Sequence, residues 1–487
     1  IEYAVGNVAV AISWANYFKT LVRQAGIIIP DWISIDLTTA RKIPGLIESA
    51  PHIFGIPIVF NSLAIMIVAI ITLILLVGIR ESAWFNAGMV IFKLIVLTFF
   101  IVICFKAVHS ENWTPLLPNG YVGMLSGAAV IFFAYIGFDA VSTVAEESKN
   151  PQRDMPIGII ASLIVCTIFY IIIAAVFTGM IPYRELVKML SSQQAEPLTL
   201  AMEYANIRGV ALTIVAFGSV VAHTAVLFVF QLGQPRIFFS MARDGLLPRM
   251  FATVHPKFRT PWGSTILTGV AVGTFSMFTS LDEMVDLTNI GTLFAFILVC
   301  LGVIVLRIKD PDRHRPFRVP GGLVLPILGM IGCFVLIAYL PPSSWLRFAA
   351  WLNIGAVIYV CYGSITSKLT GRAAAENRQL HDAETSFTGA LLGVFGILVI
   401  AVTRFADVHR AGLTISPDWY FESPFWTLTF PLLLIALLLC PTVLMRAKNG
   451  LNSNISDQAK DRARISMFVA GILMVAILAY LLCVWKF

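Results

Sequence analysis

Residues 132–156 read FFAYIGFDAVSTVAEESKNPQRDMP, which sets Gly137 and Asp139 in the middle of an apolar run long enough to cross a membrane. A helix facing only lipid has no use for that interruption. Backbone groups released inside a bilayer are costly unless something polar meets them, so irregular backbone at membrane depth lines a cavity or a substrate site. The break at Gly137 and Asp139 is therefore a candidate transport site.

Working outward, the same apolar character extends along the chain. Of its 487 residues 58% are hydrophobic and only 13% charged, and the mean hydropathy is +0.86. Apolar runs at 5–29, 58–79, 84–105, 122–145, 157–181, 210–241, 263–279, 287–306, 323–340, 346–362, 389–403, 425–445 and 465–485 predict thirteen helices of an all-α polytopic membrane protein. With the first run directed outward, the connections on one side carry 15 Lys and Arg against 7 on the other. By the positive-inside rule the RDMP loop, the Arg-rich loop 307–318 and the linker 447–464 are cytoplasmic. The net charge of +7 thus reflects membrane topology and calls for no nucleic-acid partner.

The seven cysteines lie in or beside apolar runs and never in CxxC spacing, which suits packing residues rather than a metal site or a disulfide framework. No cofactor is expected. There is no G-x-S-x-G, H-E-x-x-H or Walker loop, so an enzyme is not expected. The sequence opens at Ile1 with Glu2 just ahead of the first apolar run, and it reads as the remainder of something longer.

Lys93 stands alone in FNAGMVIFKLIVLTFF, about ten residues from either end of that run. A lysine at mid-membrane costs about 2.5–3.5 kcal/mol on insertion scales, which favours a functional role such as proton carriage over a snorkelling side chain. Tyr170 lies mid-run in ASLIVCTIFYIIIAAV, where its hydroxyl needs a partner; a relay role and a plain bond to a neighbouring carbonyl are both open. Asp139 either ties the second half of the broken helix or takes up a proton. His223 in VVAHTAVLFVF reads first as a hydrogen-bonded packing residue. NPQRDMP is read as a cap at Asn150 and a helix start at Pro156, with Glu146 and Glu147 able to pair with Lys149 or Arg153. The outer loop 30–57 and the polar stretch 191–197 give no chemical signature.

FFAYIGFDAVSTVAEE with NPQRDMPIGI, then GQPRIFFSMARDGLLP (233–248), LTNIGTLFAF (287–296) and RPFRVP (315–320), resembles the bacterial branch of the cationic amino acid transporter family, within the amino acid, polyamine and organocation superfamily. The resemblance covers about residues 1–364 as a transporter core, followed by a cytoplasmic linker at 365–386 and a membrane extension of about three helices at 387–487. It implies a LeuT-like inverted-repeat fold in which 1–29 matches the outer half of the third family helix and 132–145 the broken sixth. The first two family helices have no counterpart in this sequence, so the chain by itself is expected not to transport.

The resemblance also implies roles. Carbonyls of Phe133, Ala134 and Ile136 face a substrate ammonium, the Phe133 ring gates the outer side, and Phe230 lines and shortens the side-chain pocket. Lys93 carries the coupling charge, with Glu2 and Tyr170 as further candidates for the proton path. Since no acidic residue is assigned to a distal cation, small or medium neutral amino acids fit better than arginine or lysine. The expectation is a permease of the bacterial inner membrane that imports an amino acid with a proton by alternating access. An exchanger, a facilitator or a non-transporting sensor on the same fold is the alternative.

Overall fold

A computed structural model describes residues 2–340 apart from 41–42, 44, 54–55, 78–82, 143–149, 193–195, 259, 316 and 320, with scattered positions between 341 and 475. The nine apolar runs up to residue 340 each contain a helix, while those at 346–362, 389–403, 425–445 and 465–485 lie wholly or in large part outside the described residues. The proposed ion pairs of Glu146 and Glu147 also lie outside them.

The first helix, α1 (Glu2–Gln24), begins with an acidic residue and ends near a basic one, Arg23, both favourable to the helix dipole. Val8, Ala9, Ala11, Ile12, Trp14 and Ala15 are all buried, so α1 is enclosed by protein on most of its circumference. Beyond it, the loop carries two single-turn helices, α2 (Leu37–Ala40) and α3 (Leu46–Ser49), and a short antiparallel pair, β1 (His52–Ile53) and β2 (Ile56–Pro57). These close over a small apolar cluster of Ile35, Ala40, Ala50 and Val59.

The helices α4 (Ser62–Val77), α5 (Ala83–Cys104), α6 (Gly120–Ile131) and α7 (Pro151–Met180) follow. After α7 come two short helices, α8 (Tyr183–Ser192) and α9 (Pro197–Tyr204), then α10 (Val210–Arg243), α11 (Trp262–Phe278), α12 (Leu281–Lys309) and α13 (Val324–Ala338). Among the described residues, five stretches are long and apolar enough to cross a membrane: Ala87–Ala107, Gly120–Ser142, Pro151–Met180, Val210–Arg243 and Met284–Lys309.

The chain divides into two compact units, residues 1–237 with 253–340, and residues 238–252 with 341–487. In the first, α1 packs against α4, α11 and α12, and α4 runs along α11. That last approach is close because Gly269 has no side chain: a Cβ there would stand 2.4 Å from Thr72 Oγ1. A second apolar cluster joins Phe100 and Cys104 of α5, Val176 and Met180 of α7, Ala201 and Met202 of α9, and Leu212 and Val215 of α10. In the second unit, Phe238 meets Phe251 at 5.5 Å between ring centroids, and Val443 and Ala470 share an apolar contact.

Two boundaries differ from the sequence reading. The break comes earlier than Gly137: α6 ends at Ile131 and tightens into a 3-10 turn over Phe132–Tyr135. The helix after the RDMP segment starts at Pro151, so Pro156 is inside α7 rather than at its start, and Asn150 makes no side-chain cap. Pro151 supplies the fixed φ that opens a helix, whereas Pro156 lies just past the first turn and removes one backbone bond.

Candidate functional site

The site grows from the end of α6. Once the 3-10 turn is complete, Ile136 is extended (φ −64°, ψ 130°) and Gly137 takes φ 123°, a conformation that L side chains rarely adopt. The chain therefore changes direction at the position where the sequence set glycine in an apolar run. Three side chains from other helices hold this turn.

The first is Tyr3 of α1, whose hydroxyl donates to Asp139 Oδ2 at 2.5 Å. The other carboxylate oxygen of Asp139 accepts from the Gly137 amide at 3.2 Å. Asp139 thus ties the bend both to itself and to α1. The second is Asn289 of α12, fully buried, whose Nδ2 donates to the Val130 carbonyl at 2.8 Å. That bond meets a carbonyl where the regular ladder of α6 is giving out. The third is Tyr170 of α7, whose hydroxyl donates to the Ala134 carbonyl. Its ring stands edge-on to Tyr135 at 5.1 Å.

Phe133 and Ile136 pack half-buried against a core cluster that contains Tyr3 and Phe230. Phe230 is itself buried, stacked on Tyr3 with centroids 5.6 Å apart and rings inclined by 23°. Glu2 accepts from the Thr292 hydroxyl of α12. The structure therefore brings Phe133, Ala134, Ile136, Gly137, Asp139, Phe230 and Tyr170 into one neighbourhood, with Glu2 one residue from Tyr3 on α1.

Lys93 lies apart from this group. It sits half-buried on α5 within electrostatic reach of His223 on α10. His223 Nδ1 is 2.7 Å from the Ser219 carbonyl, and its ring is 5.3 Å from that of Tyr17.

A buried polar strand runs beside the bend. Asn7 donates to Gln231, Gln231 Nε2 donates to Thr72 Oγ1 at 3.1 Å, and Gln234 Oε1 accepts from the Ala4 amide at 3.3 Å. Sequence alone assigns no role to Tyr3, Asn289, Thr292, Asn7, Gln231 or Gln234. The available signal for Asn289 was a carboxamide inside an apolar run; Tyr3 carried none beyond its place next to Glu2.

Among the described residues no group of His, Cys, Asp and Glu side chains is arranged to hold a metal ion. What the site offers is a turn of exposed backbone polarity, two carboxyl groups and aromatic walls. Such a site can bind a small zwitterion.

Comparison with known proteins decides what this geometry belongs to. The family described as amino acid permease matches residues 1–360. The chain belongs to the amino acid permease family. It is 41% identical over 369 residues to the branched-chain amino acid permease of Bacillus subtilis, covering 76% of this chain and 75% of that one. The methylthioribose transporter of the same organism is 39% identical over 362 residues, covering 74% of each chain. Cationic amino acid transporter 4 of Arabidopsis thaliana, a vacuolar protein, is 37% identical over 264 residues, 53% of this permease and 43% of the relative. The permease is thus a multi-pass helical membrane protein of the amino acid, polyamine and organocation superfamily, a family of transporters rather than enzymes.

Proposed function

We propose that the permease imports a small or medium neutral amino acid together with a proton, by alternating access around the bend after α6. The observation that carries this reading is the bend itself: a 3-10 turn, an extended Ile136 and a left-handed Gly137 at membrane depth, with Tyr170 and Tyr3 fastened to it. A carbonyl has two lone pairs, so Ala134 can hold Tyr170 and still accept from a substrate ammonium. Phe133 closes the outer side, and Phe230 limits the side chain by packing Tyr3 behind the pocket. The name of the branched-chain relative supports a neutral aliphatic substrate.

Glu2, which accepts from the Thr292 hydroxyl of α12, is the further candidate for the proton path in this reading. Lys93 remains the coupling residue in this reading, being the one cation within the apolar part of α5.

The test uses permease expressed from its complete coding region and reconstituted in vesicles. Wild-type protein is expected to accumulate labelled leucine, isoleucine or valine under an inward pH gradient. Lys93→Met should abolish that accumulation, with substrate binding measured alongside to show that the variant folds; undiminished accumulation would sink the coupling role. The methylthioribose relative motivates a competition arm. That sugar has no ammonium to meet the bend carbonyls, and its uptake in preference to leucine would overturn the substrate class.

A further inference from the structure

The connection between α12 and α13 carries Arg307, Lys309, Arg313, Arg315 and Arg318 against two acidic residues, Asp310 and Asp312. Two of these five cations hold the loop in shape. Arg315 donates through Nη2 to the carbonyls of Leu306 at 3.0 Å and Asp310 at 2.6 Å. Through Nη1 it donates to those of Pro311 at 3.1 Å and Arg313 at 3.2 Å. Leu306 lies in the last turn of α12, where carbonyls run short of helical donors, so one guanidinium caps the helix and gathers the loop against it. At the far end of the loop, the Val319 carbonyl lies 3.5 Å from Arg307 Nη2. Gly321 and Gly322, at φ 73° and 61°, then turn the chain into α13, which packs along α12.

These ties gather the three remaining cations at the shared end of two apolar helices. Lys309 adjoins one tied residue, Asp310; Arg313 is tied through its own carbonyl; Arg318 adjoins another, Val319. All three side chains are exposed. Among the described residues none of them enters an ion pair or donates a hydrogen bond to protein. Between Arg315 and Arg318 stands Phe317, 48% exposed. The apolar span of α12 runs from Met284 to Lys309, so the loop begins where the hydrocarbon layer ends. A phenyl ring amid cations is poorly placed in bulk water. At the membrane boundary the same ring reaches apolar chains while its neighbours meet phosphates.

We propose that this loop binds the phosphate headgroup of an anionic phospholipid in the cytoplasmic leaflet, the side on which the charge bias places it. Lys309, Arg313 and Arg318 meet the headgroup, and Phe317 dips toward the acyl chains. Arg315 is a positioning residue, since its donors are engaged by backbone and serve to keep the three cations in one patch. Charge selects the occupant: phosphatidylglycerol is a net anion, whereas phosphatidylcholine carries its own compensating ammonium. A soluble phosphate would satisfy the cations and leave Phe317 in water.

The test uses permease expressed from its complete coding region and purified in detergent. It is offered phosphatidylglycerol and phosphatidylcholine in equal amounts, retained lipid is counted by native mass spectrometry, and Tm is followed as each lipid is added. Each cation near an anionic surface is worth about fivefold in affinity, so wild type should retain phosphatidylglycerol in preference by about tenfold or more. High salt should erase the preference. Lys309→Gln, Arg313→Gln and Arg318→Gln combined should bring the ratio close to unity, with an unchanged Tm in phosphatidylcholine showing that the variant folds. Removing equal charge from other exposed positions, Arg153→Gln with Arg243→Gln and Arg249→Gln, should leave the ratio as it was. Arg315→Lys keeps the charge but has three donors for four carbonyls, and should lower the ratio by about threefold.

Equal retention of the two lipids by wild type, an undiminished preference in the triple loop variant, or an equal loss in the control overturns the site. Displacement of phosphatidylglycerol by excess inorganic phosphate would make the occupant a soluble anion and overturn the lipid assignment. A wild-type ratio in Arg315→Lys removes its positioning role. Should the triple variant fail to fold, Arg313→Gln and Arg318→Gln decide singly, each expected to lower the ratio by about threefold, and wild-type ratios in both overturn the proposal.

Discussion

Tyr170 shows how much one side chain can reveal at the bend. Its hydroxyl is the α7 contribution to the Ala134 carbonyl, so Tyr170→Phe leaves the ring packing on Tyr135 and removes only that bond. A neutral hydrogen bond contributes about 1 kcal/mol, and the KM for substrate should rise roughly fivefold at unchanged expression. A wild-type KM would mean that Ala134 is not part of the binding surface. Gly269 makes the complementary case for packing. An alanine there would bring a methyl group to 2.4 Å from Thr72 Oγ1 and 2.6 Å from its Cγ2. Gly269→Ala should therefore destabilise the permease by about 1–3 kcal/mol, read as a lower Tm in detergent, with an unchanged Tm contradicting the closeness of α4 and α11. Gly137, Asp139, Lys93 and Tyr170 were legible in the sequence because glycine or polarity inside an apolar run is anomalous on its face, whereas Glu2, just ahead of its run, came from the family resemblance. Phe133 and Phe230 were not anomalous and came from the family resemblance alone. Tyr3 was not legible, and Asn289 showed only as a carboxamide inside an apolar run, because what makes them matter is a partner 136 residues away in one case and 159 in the other.

Among the elements, α9 is the one whose docking should respond to pH. Glu196 is buried just ahead of α9, where the Asn16 amide and the Ser13 hydroxyl of α1 donate to its carboxyl. Undocked, it would titrate near the ordinary 4.5; docked against α1, burial pushes it up to about 7. The docked state therefore binds a proton more tightly. Its advantage is fully present below about 4.5, declines as pH rises toward 7 and is constant above that, a change of roughly 3 kcal/mol. Hydrogen exchange of Pro197–Tyr204, corrected for intrinsic rates, should show stronger protection at pH 5 than at pH 8. Glu196→Gln should flatten that difference, and an equal pH effect in the variant would assign it to another group. Nothing in the stretch 191–197 announces this, because it looks like any polar connection. A Glu followed by Pro marks a helix start well enough, but whether its carboxyl faces water or α1 is a tertiary fact. The broken helix was legible in kind, and the chain turns at the glycine that marks it. Gly137 announces itself, whereas the tightening at Phe132–Tyr135 arises from ties supplied by α1, α7 and α12.

For the molecule as a whole, the class was readable from composition, since few soluble chains combine 58% hydrophobic residues with 13% charge. The orientation makes a direct prediction. A cysteine placed at Arg313 should react with an impermeant maleimide only from the cytoplasmic face, and one placed at Glu185 only from the outside; reversed labelling would invert the topology. What composition could not convey is how the helices divide their duties. Thr72 on α4, Gln231 on α10 and Asn7 on α1 are joined by buried polar bonds, and Gly269 lets α11 close against the same edge. Interlocked side chains of this kind resist sliding in any direction, for a slip of even part of a turn would strand several polar atoms in an apolar interior. On the proposed alternating-access reading these four helices would serve as a stator. The bend after α6 is tied to it by the hydrogen bond from Tyr3 to Asp139, so a swing of the proposed gate would have a fixed fulcrum and a short leash.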